Sequence, residues 1–389
     1  MKYQEKCRWF NGYKPCKFKR SCTGCPEFSE PEVRIAILCL DAMGAVLRAT
    51  CLLPPLRREY PEAHITWITY PQCRALLENN PEIDRIISFE AKSVPLLRHL
   101  EFDLLYSVDK SAEAGALAED VRARKKFGFG LSREGAIRPF NKEAAYQYDL
   151  GLNDELKFFV NQKPETCQIT ETMGLAWERD SYLFRLSQQE QCDSEAIRQD
   201  VLKRCGTPAA VGIIGYNTGC SLLYPNKKLT ISRSAELIRE WRRNFPDYCI
   251  ALLGGPEDTG RNQKLAEIFC SDPMVWNSPT TEGLRHGFVV MNCVDIVFSG
   301  CSLGMHMAIA LEKKVIAWFG VSCLQEIDLY DRGIRIQSDV SCSPCWKRSC
   351  QQTDMCYDQV SLETVIRSTQ RLLTEPGPYQ DEISPRRFS

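Results

Sequence analysis

With 389 residues, 44% of them hydrophobic, the chain is long enough and apolar enough to build two domain cores of ordinary size. Its 49 basic and 50 acidic residues leave a formal net charge of -1, a balance that argues against a nucleic-acid-binding body. No run comes near the roughly 18 uninterrupted apolar residues of a membrane-spanning helix.

The N-terminal segment, 1–31, is read as a unit of its own. It holds Cys7, Cys16, Cys22 and Cys25 among Lys2, Lys6, Arg8, Lys14, Lys17, Lys19 and Arg20. It has no apolar h-region, so no secretory leader is expected, and the chain reads as cytoplasmic with reduced thiols. Four soft thiolate donors in one short segment match a tetrahedral zinc or iron site, and the Cys22/Cys25 spacing lets two sulfurs share an ion without backbone strain. Buried thiols or disulfides are the alternative, because the wider spacing of the other pairs is less specific.

Four short apolar runs follow, at 34–40, 64–69, 85–89 and 102–107. Their hydrophobicity is continuous rather than alternating, which predicts strands buried on both faces of a parallel sheet. The basic run 122–126 reads as a solvated face. The polar stretch 187–195 opens a helix-like run to about Cys205, and a domain junction is expected there, dividing 32–190 from 191–389. Beyond it the pattern repeats, with strands expected at 210–215, 248–253, 296–299 and 314–319. Ala235, Leu237, Ile238, Trp241 and Phe245 recur at helical spacing between the first two, with Arg239, Arg242 and Arg243 on the other side. Two βα-repeating domains with a cleft between them follow.

Small-residue turns close these strands at 41–46, 215–219, 254–257 and 299–306. Such turns let backbone N–H groups approach phosphate oxygens, and a helix that starts there adds the positive end of its dipole. None has the six-position glycine pattern of dinucleotide dehydrogenases or the phosphate loop ending in Gly-Lys-Ser/Thr. Four turns in two tandem sheets point to a phosphate-bearing ligand. Toward the C-terminus, Cys342, Cys345, Cys350 and Cys356 fall within 15 residues and form a second expected four-cysteine knuckle. The ion at either set would be zinc, iron or an iron–sulfur cluster. The other cysteines, Cys39, Cys249 and Cys293 among them, lie in apolar runs and read as core.

The stretch 296–320 resembles the C-terminal signature of the family 9 glycosyltransferases, the ADP-heptose lipopolysaccharide heptosyltransferases. The segments 215–219 with 225–228, 252–257, 325–330, 43–50 and 56–64 are similar to that family in the same order, so the resemblance runs from about 32 to 375. The segment from Cys7 to Cys25 resembles a subset with an N-terminal cysteine knuckle. The resemblance implies a GT-B architecture of two Rossmann-like domains, with the acceptor in the first and the donor in the second. It also implies inverting transfer of heptose or a related sugar from a nucleotide donor, ADP-heptose above all, to a saccharide hydroxyl in lipopolysaccharide core or another surface glycan, without a catalytic metal. By motif position Thr218 and Gly219 would line the diphosphate, Lys227 would neutralise its charge and Glu257 would face the ribose. Ser302, Leu303, Gly304 and His306 would form the loop and helix start beside it. A peripheral contact with the inner membrane is a further expectation; nothing indicates an oligomeric state.

Two positions depart from that pattern. Ala45 stands where the family carries the aspartate that takes the acceptor proton, and Cys301 stands where it usually carries another aspartate. Alanine accepts no proton, so Asp41, four residues earlier, is the candidate catalytic base, with a helix N-cap as its alternative role. A catalytically silent nucleotide-sugar-binding or scaffold protein and a redox iron–sulfur protein remain the competing readings.

Overall fold

The computed structural model describes residues 3–204 and 210–382, and the expected helix end at Cys205 lies outside them. The chain divides into two compact units, Met1–Asn153 with Thr166–Leu183 and Asp154–Glu165 with Phe184–Ser389. The first unit holds strands β1 (Arg34–Leu38), β2 (His64–Thr69), β3 (Arg85–Ser88), β4 (Glu101–Ser107), β5 (Arg122–Leu131) and β6 (Ile137–Pro139). Their order is β3-β2-β1-β4-β5-β6, parallel apart from the β5–β6 pair. All four expected strands are present, and β2 is buried along its whole length, as continuous hydrophobicity requires. The basic run 122–126 is solvated as expected at Arg122, Arg124 and Lys125, but it also opens β5, whose mixed charged and apolar sequence hides it from an apolar-run reading.

The second unit holds β7 (Gly212–Asn217), β8 (Tyr248–Leu253), β9 (Val275–Asn277), β10 (Ile296–Gly300), β11 (Lys314–Phe319) and β12 (Gly333–Gln337). All are parallel, in the order β12-β11-β10-β7-β8-β9. The helix read between the first two strands spans Ile231–Asn244 and starts where Thr230 Oγ1 accepts the Arg233 N–H at 3.2 Å. Leu237, Ile238 and Trp241 on its inner face are fully buried, and burial of each stabilises the unit by about 1.5–3 kcal/mol. On its outer face Arg242 pairs with Asp272 at 2.9 Å and Arg243 with Glu240 at 2.9 Å. In both units the first strand lies between the second and the fourth, so the winding reverses beside β1 and beside β7. The crevice outside the carboxyl ends of the strands at such a reversal is where these sheets bind ligands.

The junction falls at Leu183/Phe184, a few residues before the expected one, and the segment Asp154–Glu165 belongs to the second unit. The reason is the helix Gln188–Arg204, which opens in the polar stretch but is fastened wholly to the second unit. Glu190 pairs with Arg285 at 2.5 Å, and Arg198 pairs with Asp295 at 2.9 Å. The segment 1–31 does not stand alone: Arg8 donates to the Glu62 carbonyl at 2.7 Å, and Arg34 donates to the Lys6 carbonyl at 3.4 Å. No helix among the described residues is long and apolar enough to cross a membrane.

Candidate functional site

At the β7/β10 reversal the carboxyl ends of the strands are tied together by Asn217, the last residue of β7. Its Nδ2 donates to Ser299 Oγ at 2.9 Å, to Ser302 Oγ at 3.0 Å and to the Gly219 carbonyl at 3.2 Å. Ser302 is the N-cap of the helix Leu303–Ala310, but its hydroxyl faces Asn217 and makes no bond to the first turn. With no acidic residue in that turn, the helix keeps its N–H groups and positive dipole end available to an anion. The helix begins at Leu303, inside the expected 299–306 turn. Gly304 must be glycine, because a Cβ there would lie 2.4 Å from Asn217 Cγ. His306 is buried in the second turn, its N–H donating to the Ser302 carbonyl at 3.3 Å.

The other expected donor residues divide between interior and surface. Thr218 is fully buried; its N–H donates to the Leu253 carbonyl at 3.2 Å and its hydroxyl to Asn262 Oδ1 at 2.5 Å. Both donors are thus engaged within the fold, and Thr218 fixes the strand ends to each other. A Cβ at Gly219 would lie 1.9 Å from Asp258 Oδ2, so this glycine lets the Asp258 carboxylate close against the turn. Asp258 accepts the Gly255 N–H at 3.0 Å, and burial pushes its pKa up. Glu257, its neighbour, is exposed. Lys227 is half-buried, with its carbonyl 2.1 Å from where a Cβ on Gly300 would stand. Its ammonium lies 4.0 Å from Cys301 Sγ. Ser302, Gly304, Gly219 and Lys227 therefore lie together at the carboxyl ends of β7 and β10, knitted by Asn217 and Asp258. Asn217 sits inside the expected 215–219 turn, and its polar side chain at the end of an apolar strand was the available signal.

The first unit carries a matching arrangement at its β1/β4 reversal. Asp109, just past β4, accepts the Leu40 N–H, and also the Asp41 N–H at 3.4 Å and the Cys39 thiol at 3.4 Å. Burial pushes the Asp109 pKa up to about 6 against the opposing effect of these hydrogen bonds. Asp41 itself is exposed. The helix that follows, Met43–Ala49, takes Ala42 as its N-cap and has no side-chain capping bond, which corrects the capping role considered for Asp41. Ala45 is half-buried within that helix. Asp109 is invisible to sequence reasoning because one carboxylate after a strand carries no spacing signal.

Every cysteine among the described residues is a free thiol. Cys39, Cys249 and Cys293 are buried as expected, whereas Cys192 and Cys270 are exposed. Cys7, Cys16, Cys22 and Cys25 line one cavity of about 470 Å³ with Trp9, Phe10 and Phe18. In the 342–356 loop, burial pushes Cys356 up to about 11, helped by the nearby thiolates of Cys345, Cys342 and Cys350. No group of three or more His, Cys, Asp or Glu side chains among the described residues is arranged to hold a metal ion. The donor types of both sets suit zinc or iron.

A family model described as glycosyltransferase family 9 (heptosyltransferase) matches residues 95–355. The lipopolysaccharide core heptosyltransferase OpsX of Haemophilus influenzae is 30% identical over 120 residues, which cover 28% of this chain and 34% of that protein's length. Among solved structures, the family 9 glycosyl transferase of Veillonella parvula superposes with a TM-score of 0.65 at 18% identity, covering 88% of this chain and 97% of the other. The ADP-heptose lipopolysaccharide heptosyltransferase II of E. coli does so at 0.62 and 17%, covering 87% and 98%. At these identities the structural likeness is one of fold, and that fold is the pair of Rossmann-like units described above.

Proposed function

The chain belongs to glycosyltransferase family 9, and from that premise we propose that it transfers a heptose or related sugar from a nucleoside diphosphate donor to a saccharide hydroxyl. ADP-heptose, for which the E. coli heptosyltransferase II is named, is the proposed donor. Lipopolysaccharide core is the proposed acceptor, after the activity named for the Haemophilus relative. The observation that carries the reading is the cluster at the β7/β10 reversal. There an acid-free helix start lies beside the half-buried Lys227, at strand ends that Asn217 ties together. In the reaction the acceptor oxygen bonds to the anomeric carbon, the bond from that carbon to the diphosphate oxygen breaks, and the electron pair leaves with the diphosphate. Lys227 and the N–H groups at the start of Leu303–Ala310 stabilise that developing charge. Attack from the face opposite the leaving group inverts the anomeric centre. The acceptor proton passes to a carboxylate, and Asp41, exposed and free of a capping bond, is the proposed base.

Mass-spectrometric detection of sugar transfer, with a panel of nucleotide sugars and core oligosaccharides, tests the proposal. Product with ADP-heptose supports it, and absence of product with every donor contradicts it. Ala45 favours one second reading, a nucleotide-sugar-binding protein without turnover, for which ADP would bind tightly and no product would form. The cysteine sets at 7–25 and 342–356 are proposed to carry structural metal. The short spacing in the second, the shared cavity of the first and the chemistry of four thiolates support this. Visible absorbance would identify iron, and a colourless protein with bound metal would identify zinc.

A further inference from the structure

We infer that Trp346, carried by the 342–356 loop, is a positioning residue for Lys227 and thereby sets how tightly the second unit holds a nucleoside diphosphate. The inference rests on the donor reading just proposed. Trp346 stands at φ 49°, a left-handed conformation that a bulky side chain adopts only when its surroundings enforce it. The enforcement is visible. The Trp346 and Cys345 N–H groups both donate to the Val321 carbonyl, at 2.9 and 3.1 Å, and Ser343 Oγ donates to the Gly320 carbonyl at 2.6 Å. The loop is thus stitched to the chain leaving β11, and the indole is held in place.

What it holds is the Lys227 ammonium. Nζ lies 4.4 Å from the centre of the Trp346 ring and 4.9 Å from that of Tyr224, and the two rings meet edge to face at 5.6 Å. A second ammonium, that of Lys157, lies 4.8 Å from the same indole. Lys157 is partly balanced by the buried Glu326 carboxylate at 3.7 Å. Among the described residues no ion pair to Lys227 is present; its ammonium also lies 4.0 Å from Cys301 Sγ and near the Cys220 thiol. Cys301 adjoins Ser302, so the ammonium is held beside the helix start that faces the anion.

The Lys227 backbone is already fixed, since its carbonyl packs on Gly300. Only the flexible four-carbon stem is left to order. A lysine free in solvent surrenders that rotamer freedom when it binds phosphate, whereas one resting between two aromatic faces has lost much of it beforehand. The ring faces do this without neutralising the charge as a carboxylate would, so the ammonium stays available to the diphosphate.

Calorimetric titration of the full chain with ADP and, separately, with adenosine tests the inference. Trp346→Leu should weaken ADP on the order of tenfold and leave adenosine unchanged, because only the diphosphate meets Lys227. Trp346→Phe should keep most of the affinity, and Trp346→Leu should add little to the loss already caused by Lys227→Ala. Full ADP affinity in Trp346→Leu, alongside a loss in Lys227→Ala, would overturn the inference and leave the donor site standing. Unchanged ADP affinity in Lys227→Ala would instead remove the donor reading itself. A Trp346→Leu loss shared by adenosine, or one that adds fully to that of Lys227→Ala, would reduce Trp346 to a structural role and likewise overturn the inference. Should Trp346→Leu fail to fold, Tyr224→Leu and Trp346→Phe supply the same comparison from the other ring and from a smaller change.

Discussion

Replacing Asn217 by Asp keeps the shape of the side chain and removes its donor. Nδ2 contacts three oxygens, those of Gly219, Ser299 and Ser302, at 3.2, 2.9 and 3.0 Å. In Asn217→Asp a carboxylate oxygen would face the Gly219 carbonyl with no proton between them. The Ser299 hydroxyl already donates to the Gly300 carbonyl at 2.7 Å, so only Ser302 can turn its proton to the new acceptor. The side chain cannot swing away, because Gly304 presses on it so closely that even a methyl there would overlap Cγ. Two unmade contacts at a site 7% exposed, each worth roughly 1–3 kcal/mol, give a loss of about 2–6 kcal/mol. The loss should depend on pH. A buried carboxyl has its folded-state pKa raised above the unfolded value, and in its protonated form it can donate where the amide did. The deficit should therefore be small in acid, grow as pH rises through the folded-state pKa, and be complete above it. Urea denaturation near pH 5 and near pH 8 reads this directly as a midpoint shift at constant slope. Midpoints equal to the parent at both pH values, or a larger deficit in acid, would refute the reasoning.

Asp41→Asn should fold with unchanged stability, since Asp41 caps no helix, yet lose on the order of 100-fold in turnover in the mass-spectrometric transfer assay; a full transfer rate would move the base elsewhere. Asp109, with its pKa pushed up to about 6, should cost the parent stability as pH rises from about 4 to about 6. Asp109→Asn should flatten that limb of the denaturation profile, and an unaltered limb would count against the burial argument. Glu190 is held down to about 2, chiefly by its hydrogen bonds from Arg285, so the clamp stabilises above the ordinary carboxylate range and is lost as pH falls toward 2. Arg285→Gln should accordingly lower stability at neutral pH by about 1–2 kcal/mol after allowance for solvent screening, and make little difference in strong acid. Elemental analysis should find one metal per cysteine set, and replacing Cys345 by Ser should release the metal of the 342–356 loop; four titratable free thiols there with no metal would contradict the proposal.

The continuous apolar runs disclosed β1–β4, β7, β8, β10 and β11, because strands covered on both faces have no polar alternation to blur them. The remaining strands lack that signature for separate reasons. β5 begins in a charged solvated run, β6 and β9 are three residues long, and β12 is interrupted by Arg335, which pairs with Asp381 at 2.5 Å. Among the site residues, Gly219, Ser302 and Gly304 were legible as a turn and a helix start, and Lys227 only through the family resemblance. The roles within the turn were not, for Thr218 and Asn217 are adjacent and comparably polar. Strand pleating sends Thr218 inward to Asn262 and Asn217 across to Ser299, a distinction that only the sheet order supplies. Trp346 carried no signal beyond its place between two cysteines, since its role depends on β11 bringing the loop beside Lys227.

The claim that the chain transfers sugar with inversion is tested most directly by following the anomeric proton by NMR while ADP-heptose and core oligosaccharide are incubated with the protein. The account predicts that the donor signal decays as a glycoside of the opposite anomeric configuration accumulates. A donor signal that persists, or a product that retains the donor configuration, would contradict it.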